Sequence, residues 1–156
     1  MPDSPAPITP SPLDAHLGFW MRFVSNHVSG RFQQMLEVKG VSVTEWVALR
    51  TLWTQPETRH MELIQALGMT KGAASKIVSR LEEKGLAARH YKDGDLREQY
   101  LVLTAAGMKL VPELAELADA NDDHFFGHLE AQDRRILMGL MKALVQHHRF
   151  QTIPVS

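Results

Sequence analysis

The chain has 156 residues, a formal net charge of −1 and no cysteine. This length allows one domain with a sizeable core, and the lack of cysteine excludes disulfides, thiolate metal sites and thiol-based redox sensing. The sequence contains no apolar run near the roughly 18 residues that a membrane span needs, and its N-terminus lacks a secretory signal pattern. These properties predict a cytoplasmic protein with no membrane partner.

The charges are segregated along the chain. From Thr70 to Leu81 there are three basic residues and no acidic one, whereas Ala105 to Asp133 holds seven acidic residues and one basic residue. A nearly neutral protein with a separate basic face can still attract DNA to that side. The segregation, rather than the total charge, therefore carries information about partners.

The N-terminal region divides into a tail and a helix. Residues 1–12 hold five of the eight prolines, which predicts a disordered tail. Apolar residues then recur at helical steps of three and four: Leu13, Leu17, Trp20, Val24, Val28, Phe32 and Met35. Phe19, Phe23 and Leu36 widen this stripe, so we expect the helix to contact both its own core and a second subunit, with a single-sided core helix as the alternative. Lys39 and Gly40 end it.

Two shorter helices are predicted next. Thr44 is positioned to cap a helix from Glu45 to Trp53, in which Val47, Leu49 and Leu52 are candidates for burial. A loop from Gln55 to Glu57 separates it from a helix that spans about His60 to Leu67. We expect this second helix to brace the one that follows rather than to contact bases.

The helix after Thr70 is the most informative element. Thr70 can cap its first turn, Gly85 and Leu86 fit a left-handed stop, and helical spacing predicts one buried face, formed by Ala74, Ile77, Val78 and Leu81. The opposite face is basic and short-chained, with Lys71, Gly72, Ser75, Lys76 and Ser79, and Arg80 at its edge. Such a face can enter a major groove; the alternative is an ordinary solvated face.

The neighbouring segments favour DNA binding. The preceding helix ends at Gly68, which leaves a three-residue junction that is typical of a helix-turn-helix. Two β-prone segments, Leu86 to Tyr91 and Glu98 to Leu103, flank a turn that contains Asp93 and Gly94, a hairpin signal. The sequence therefore predicts a mainly α fold with a small β-hairpin wing, which is a winged helix-turn-helix.

The C-terminal third is predicted to be helical. Thr104 can cap a long helix from Ala105 to about Phe126, which Pro112 should kink. A last helix, from about Gln132 to His148, has six apolar residues on one side: Ile136, Leu137, Leu140, Met141, Leu144 and Val145. We predict that residues 13–38 and 105–150 form a dimerisation bundle and that residues 39–104 form the DNA-binding domain.

Two stretches carry a family resemblance. LGMTKGAASKIVSRLEEKGLAAR and DGDLREQYLVLTAAG are similar to the winged-helix core of the MarR (multiple antibiotic resistance regulator) family of transcription factors. The resemblance covers nearly everything after the tail. It implies an obligate homodimer that binds double-stranded DNA at a pseudo-palindromic operator, with recognition helices in successive major grooves and wing arginines in the flanking minor grooves. No cofactor is predicted, and the absence of cysteine excludes the family's peroxide-sensing branch.

The resemblance also assigns roles to single residues. Arg97 matches the wing arginine and Asp95 the acid that orients it. Leu96 stands where many members have another arginine, and Ser79 where an aspartate is common, so the ion pairing around Arg80 is expected to differ here. On the helix, the candidates for base contacts are Thr70, Ala73 and Ser75. The candidates for phosphate contacts are Lys71, Lys76 and Arg80, and Ser79 is a further candidate for DNA binding.

A small-molecule site is a further hypothesis. Trp20, Phe23, His27 and Trp46 come from elements that should meet where the dimerisation helices join the winged unit. In the family this junction often holds a small aromatic or phenolic effector, so the resemblance implies a ligand-responsive regulator. Plain core packing of the same side chains is the alternative.

Other functions find less support. His124 and His128 have a spacing that could bind zinc from one helix, with Asp122, Asp123, His147 and His148 nearby, but Gly127 interrupts them; no metal is assigned, and a zinc-responsive regulator stays an alternative. The sequence has no G-x-S-x-G elbow, P-loop or G-x-G-x-x-G motif, so no enzyme is predicted. A winged-helix protein–protein adaptor without DNA binding is the other alternative, because Leu96 lowers the wing charge.

Overall fold

A computed structural model describes residues 5–55, 57–92 and 95–150, excluding the side chains of residues 92 and 95–98. A 3₁₀ turn at Leu13–Ala15 precedes the first helix. The helices are α1 (Leu17–Val38), α2 (Val43–Thr54), α3 (His60–Leu67), α4 (Lys71–Glu83), α5 (Ala105–Phe126) and α6 (Ala131–His148). The strands are β1 (Thr58–Arg59), β2 (Ala87–Lys92) and β3 (Asp95–Leu103). The predicted mainly α fold with a small hairpin is confirmed.

The helix-turn-helix is formed by α3 and α4. Gly68 ends α3 in the left-handed region, at φ 62°, and three residues separate the two helices. Thr70 Oγ1 accepts a hydrogen bond from the Ala73 N–H at 3.2 Å. Gly85 has φ 70°, and the Leu86 N–H donates to the Leu81 carbonyl at 2.9 Å. The predicted caps at both ends of α4 are therefore confirmed.

The core lies between α2, α3, α4, α5 and the sheet. The four residues predicted for the apolar side of α4, Ala74, Ile77, Val78 and Leu81, are all buried. They belong to one cluster with Leu49 and Leu52 of α2 and Leu63 of α3, while Val47 is partly buried beside it. This packing leaves the other side of α4 free to face solvent.

The start of α2 differs from the prediction. Ser42, not Thr44, is the N-cap, because Glu45 lies three residues later and completes a reciprocal capping box. The Glu45 N–H donates to Ser42 Oγ at 3.1 Å, and the Ser42 N–H donates to Glu45 Oε2 at 3.3 Å. The helix therefore begins two residues earlier than predicted, at Val43.

Within the described part of the chain, the sheet has three antiparallel strands in the order β1-β3-β2. The predicted hairpin of β2 and β3 is present, with a register irregularity between Tyr91 and Lys92. Sequence analysis missed β1, in which Thr58 is fully buried and pairs with Leu101. Asp93 and Gly94, on which the hairpin turn was predicted, lie outside the described residues.

The terminal helices pack less completely. The helix α5 is capped by Thr104, whose Oγ1 accepts from the Gly107 N–H at 3.1 Å, and it continues through Pro112 to Phe126. Asn121 of α5 is 3% exposed; its Nδ2 donates to the Val28 carbonyl of α1 at 3.1 Å. Of the described side chains of α1, Leu36 is the buried one, and no described side chain of α6 is buried.

Residues 5–12 of the predicted tail form neither helix nor strand and are exposed, and residues 1–4 lie outside the described part of the chain. As predicted, α1 ends at Lys39 and Gly40. None of the helices in the described residues is both long enough and apolar enough to cross a bilayer. The predicted division into dimerisation and DNA-binding regions remains a prediction.

Candidate nucleic-acid interface

The solvent-facing side of α4 carries most of the predicted DNA-binding residues. Thr70, Lys71, Lys76, Ser79 and Arg80 are exposed, and Ala73 and Ser75 are partly buried. The structure therefore brings these residues onto one side of one helix. No acidic residue lies in the first turn, so the positive end of the helix dipole adds to the lysine charges there.

The C-terminal end of this face also borders an acidic residue. A shallow groove along α4 is lined by Ser75, Lys76, Ser79, Arg80 and also Glu83. Among the described residues Arg80 has no ion-pair partner. Arg80 is therefore available to an external anion, while Glu83 would repel phosphates at the far end of the helix.

Arg89 on β2 is a residue that sequence analysis missed. Its Nη2 donates to Ser79 Oγ at 3.3 Å, and its Nε lies 2.8 Å from Glu82 Oε1 in an ion pair whose geometry falls short of a hydrogen bond. Arg89 thus neutralises Glu82 beside the basic face and donates a hydrogen bond to the Ser79 hydroxyl. The available signal was the strand alternation, which places Arg89 on the same side of β2 as the buried Ala87.

A cleft of about 410 Å³ lies beside the N-terminal half of α4. It is lined by residues from α3, α4 and the sheet: Arg59, His60, Met61, Lys71, Ser75, Arg89 and Gln99. His60 Nε2 lies 3.4 Å from Ser75 Oγ, and His60 Nδ1 is buried with no hydrogen-bond partner among the described residues. Burial, and then the positive charges of Arg89 and Lys71, lower the pKa of His60 below 6.5.

This lowered pKa predicts a loss of stability in acid. Because the unfolded chain binds the His60 proton more readily than the folded protein, the free energy of unfolding should fall as the pH drops below 6.5. His60→Gln should show a smaller fall between about pH 7.5 and about pH 5, measured by urea unfolding. The exposed His90 provides the matched control: His90→Gln should retain the wild-type pH dependence. An equal fall in wild type and His60→Gln would contradict this assignment.

The wing is formed by the backbones of β2 and β3, which follow α4 directly. The side chains of Asp95, Leu96 and Arg97 lie outside the described residues. Their predicted roles at the wing therefore remain predictions.

The four predicted ligand-binding residues fall into two groups. Trp20, Phe23 and His27 form an exposed row on α1, with ring centroids 6.5 Å apart for Trp20 and Phe23 and 5.1 Å apart for Phe23 and His27. Trp46 instead packs edge-on against Phe32 at 6.0 Å. The Arg50 guanidinium lies 5.7 Å from the Trp46 ring centre. Among the described residues, the Trp46 ring therefore contacts Phe32 and not the aromatic row on α1.

The histidines considered for zinc do not gather into a site. Because α5 ends at Phe126 with Gly127 as its C-cap, His128 lies beyond the helix that carries His124. In the part of the chain that is described, no group of three histidine, aspartate or glutamate side chains could hold a metal ion.

A helix-turn-helix with an exposed basic second helix, followed directly by an antiparallel hairpin, defines the winged helix-turn-helix class of DNA-binding proteins. The model of the MarR family matches residues 41–99, which span this unit from the end of α1 into β3. The chain is therefore similar over this unit to MarR-family proteins, and the relatives it matches include named transcriptional regulators.

Individual proteins show the same similarity. The transcriptional regulator HosA from Escherichia coli O127:H6 is 26% identical over 109 residues, which cover 70% of this chain and 81% of HosA. BpsR from Bordetella bronchiseptica, whose DNA binding is regulated by 6-hydroxynicotinic acid, has a similar fold, with a TM-score of 0.74 at 21% identity. The match covers 87% of this chain and 97% of BpsR. A mutant MarR from E. coli in complex with operator DNA has a TM-score of 0.72 at 20% identity and covers 83% of this chain and 93% of that one.

Proposed function

We propose that this MarR-type regulator binds a pseudo-palindromic operator as a homodimer, with α4 in the major groove and the wing beside it. The observation that carries the proposal is the exposed face of α4, where Lys71, Lys76 and Arg80 surround small side chains. Lysine and arginine contribute affinity through phosphates, whereas sequence is recognised by contacts to base edges. The E. coli MarR relative in complex with operator DNA supports this mode of binding.

Each residue then has a role in the proposed complex. Thr70, Ala73 and Ser75 contact base edges or thymine methyl groups near the start of α4. Lys71, Lys76 and Arg80 contact phosphates, and Ser79 lies at the same face. Arg97 enters the minor groove, oriented by Asp95.

Recovery of the operator from genomic DNA tests the proposal. The purified protein is mixed with sheared genomic fragments, and the retained fragments are sequenced. An enriched inverted repeat with half-sites about one helical turn apart would support the proposal. Retention without any shared sequence would contradict the proposal, and no retention at all would contradict it and favour a protein–protein adaptor.

The homodimer is supported by apolar side chains that the single chain leaves in solvent. On α6, Leu140 is 60% exposed and Ile136 is 52% exposed; on α1, Trp20 is 50% exposed and Phe23 is 52% exposed. Contiguous exposed apolar surface usually marks an interaction site. In the proposed dimer, a second copy of the chain covers α1 and α6 around a two-fold axis.

The dimer can be tested on α6 without disturbing the core of one chain. Leu140→Glu would bury an unpaired carboxylate in the interface, so we expect the dimer to weaken by about 3 kcal/mol, more than a hundredfold in the dissociation constant. Gln146→Glu adds the same charge on the opposite side of α6 and should leave the dimer intact. Sedimentation equilibrium measures both; equal dissociation constants for Leu140→Glu and wild type would exclude this interface.

Control by a small aromatic acid is the remaining part of the proposal. The aromatic row of Trp20, Phe23 and His27 lies on the surface that the dimer would cover, and the Arg50 guanidinium beside Trp46 supplies a positive charge for a carboxylate. The regulation of BpsR by 6-hydroxynicotinic acid supports this class of ligand. Such a ligand would change operator affinity only through different affinities for two dimer shapes. Titration of tryptophan fluorescence with hydroxylated aromatic acids is the test, and unchanged emission would count against the site.

A further inference from the structure

We propose that Lys84 and Glu45 form a clamp that fixes the orientation of α4 relative to the end of α1, and that this clamp sets the half-site spacing that the dimer accepts. The inference rests on the proposed function, in which α1 belongs to the dimerisation bundle and α4 enters DNA. It assigns a positioning role to two residues that lie outside the DNA-contacting face.

A single ammonium group joins three elements in the clamp. Lys84 is the C-cap of α4, and its Nζ donates to Glu45 Oε2 at 2.6 Å and to the Gly40 carbonyl at 2.7 Å. Gly40 forms the turn after α1, with φ 72°, and Glu45 lies in the first turn of α2. The same Glu45 oxygen accepts a hydrogen bond from the Ser42 N–H at 3.3 Å. The end of α4 is therefore bonded to the whole α1–α2 junction.

The burial of Glu45 makes this connection strong. Glu45 is 2% exposed, and Lys84 is its ion-pair partner in the described structure. A buried carboxylate that loses its cation is left without compensation, which is strongly unfavourable. The clamp therefore resists small rotations of α4 that would separate the two charges.

Hydrogen bonds, rather than close packing, make this particular contact. An open groove of about 420 Å³ has Ser29, Gln33 and Glu37 of α1 on its wall together with Lys84. The side chains of α1 thus do not close over the lysine. Removing the clamp should leave the apolar core beneath it in place.

Lys84 lies far from the proposed base-contacting residues, so its effect on the orientation of α4 can be distinguished from direct contact with bases. Ser75, the nearest of the proposed base-contacting residues, is nine residues away along α4, about 14 Å along the helix axis. A rotation of each α4 about its junction would move the two N-terminal ends of the dimer in opposite directions. Because a dimer reads two half-sites at a fixed separation, a looser junction should widen the range of tolerated separations.

The experiment measures spacing selectivity rather than affinity alone. The recovered operator is compared with duplexes whose half-sites are moved apart or together by one or two base pairs, by fluorescence anisotropy at one salt concentration. We expect Lys84→Met to reduce the preference for the natural spacing roughly three- to thirtyfold. Lys84→Arg, which retains a cation for Glu45, should restore most of the preference. Lys109→Met, which removes the same charge from an exposed site on α5, should leave it at the wild-type value.

A lower affinity of Lys84→Met for all spacings alike, with an unchanged ratio, would overturn the clamp. If this variant does not fold, the double variant Glu45→Gln with Lys84→Met removes the buried charge together with its partner and should show the same loss of preference. Wild-type protein that bound no duplex would overturn the proposed function and this inference with it. Wild-type binding with an unaltered ratio in the variants would overturn the clamp alone.

Discussion

Replacing Gly107 by alanine is expected to lower the free energy of unfolding by about 3 kcal/mol. Gly107 is buried in the first turn of α5, where an added Cβ would overlap the Leu86 carbonyl oxygen and approach Leu103 Cδ2 to 3.2 Å. The Leu86 carbonyl cannot easily move away from α5, because it accepts a hydrogen bond from the Thr104 N–H at 3.1 Å. The contact joins the end of α4, the sheet and the start of α5.

The control for this variant is a glycine in open space. Gly72 lies on the exposed side of α4, and no described atom lies within 4 Å of a Cβ built there. Gly72→Ala should raise the free energy of unfolding by about 0.5–1 kcal/mol, since alanine loses less backbone entropy in a helix. Urea unfolding measures both variants. If Gly107→Ala were as stable as Gly72→Ala, α5 would not approach Leu86 as described.

Replacing Lys71 and Lys76 by alanine should weaken binding to all duplexes alike and reduce its salt dependence. Both side chains project from the exposed face of α4. Each phosphate contact contributes about 0.9 to the slope of log affinity against log salt, so Lys76→Ala should lower the slope by about 0.9 and the double variant by about twice that.

Arg97→Ala should instead lower DNA affinity most at sites with A·T-rich flanks, where the minor groove is narrow.

Lys109→Ala is the matched control, because it removes one positive charge from an exposed position on α5. It should change neither the slope nor the sequence preference. Slopes that stay at the wild-type value in both Lys76→Ala and the double variant would show that these lysines do not contact the DNA backbone.

The features that were predicted correctly depend on local physical rules. The caps of α4 at Thr70 and Gly85 involve groups only a few residues apart in sequence, and the buried face follows from the helical repeat. The capping box of α2 was also accessible, because Ser42 precedes Glu45 by three residues. The prediction of Thr44 as the N-cap was wrong because it rested on the hydroxyl group alone, whereas a capping box also needs an acidic residue three positions later.

The features that were missed depend on contacts distant in sequence. The strand β1 is too short to show any periodicity, and it exists because Thr58 pairs with Leu101. The contact of His60 with Ser75, and that of Lys84 with Glu45, bring together residues from separate elements. Composition and spacing carry no information on these pairs. The cleft beside α4 and the clamp could therefore not be predicted from the sequence and became visible only in the folded structure.

The predicted ligand site shows the same limitation. Helical spacing placed Trp20, Phe23 and His27 in one row, and their ring contacts along α1 agree with that spacing. Whether Trp46 joined them depended on how α2 packs against α1. The structure places its ring against Phe32, toward the C-terminal end of α1.

The central claim is that the exposed basic side of α4 binds DNA in a sequence-specific manner. The most direct measurement is the equilibrium affinity of the wild-type protein for its recovered operator and for a shuffled duplex of equal length, at about 50 mM and about 200 mM salt. The account predicts a preference for the operator of about a thousandfold or more, with both affinities falling as salt increases. Equal affinity for the two duplexes, or affinities that do not change with salt, would contradict it.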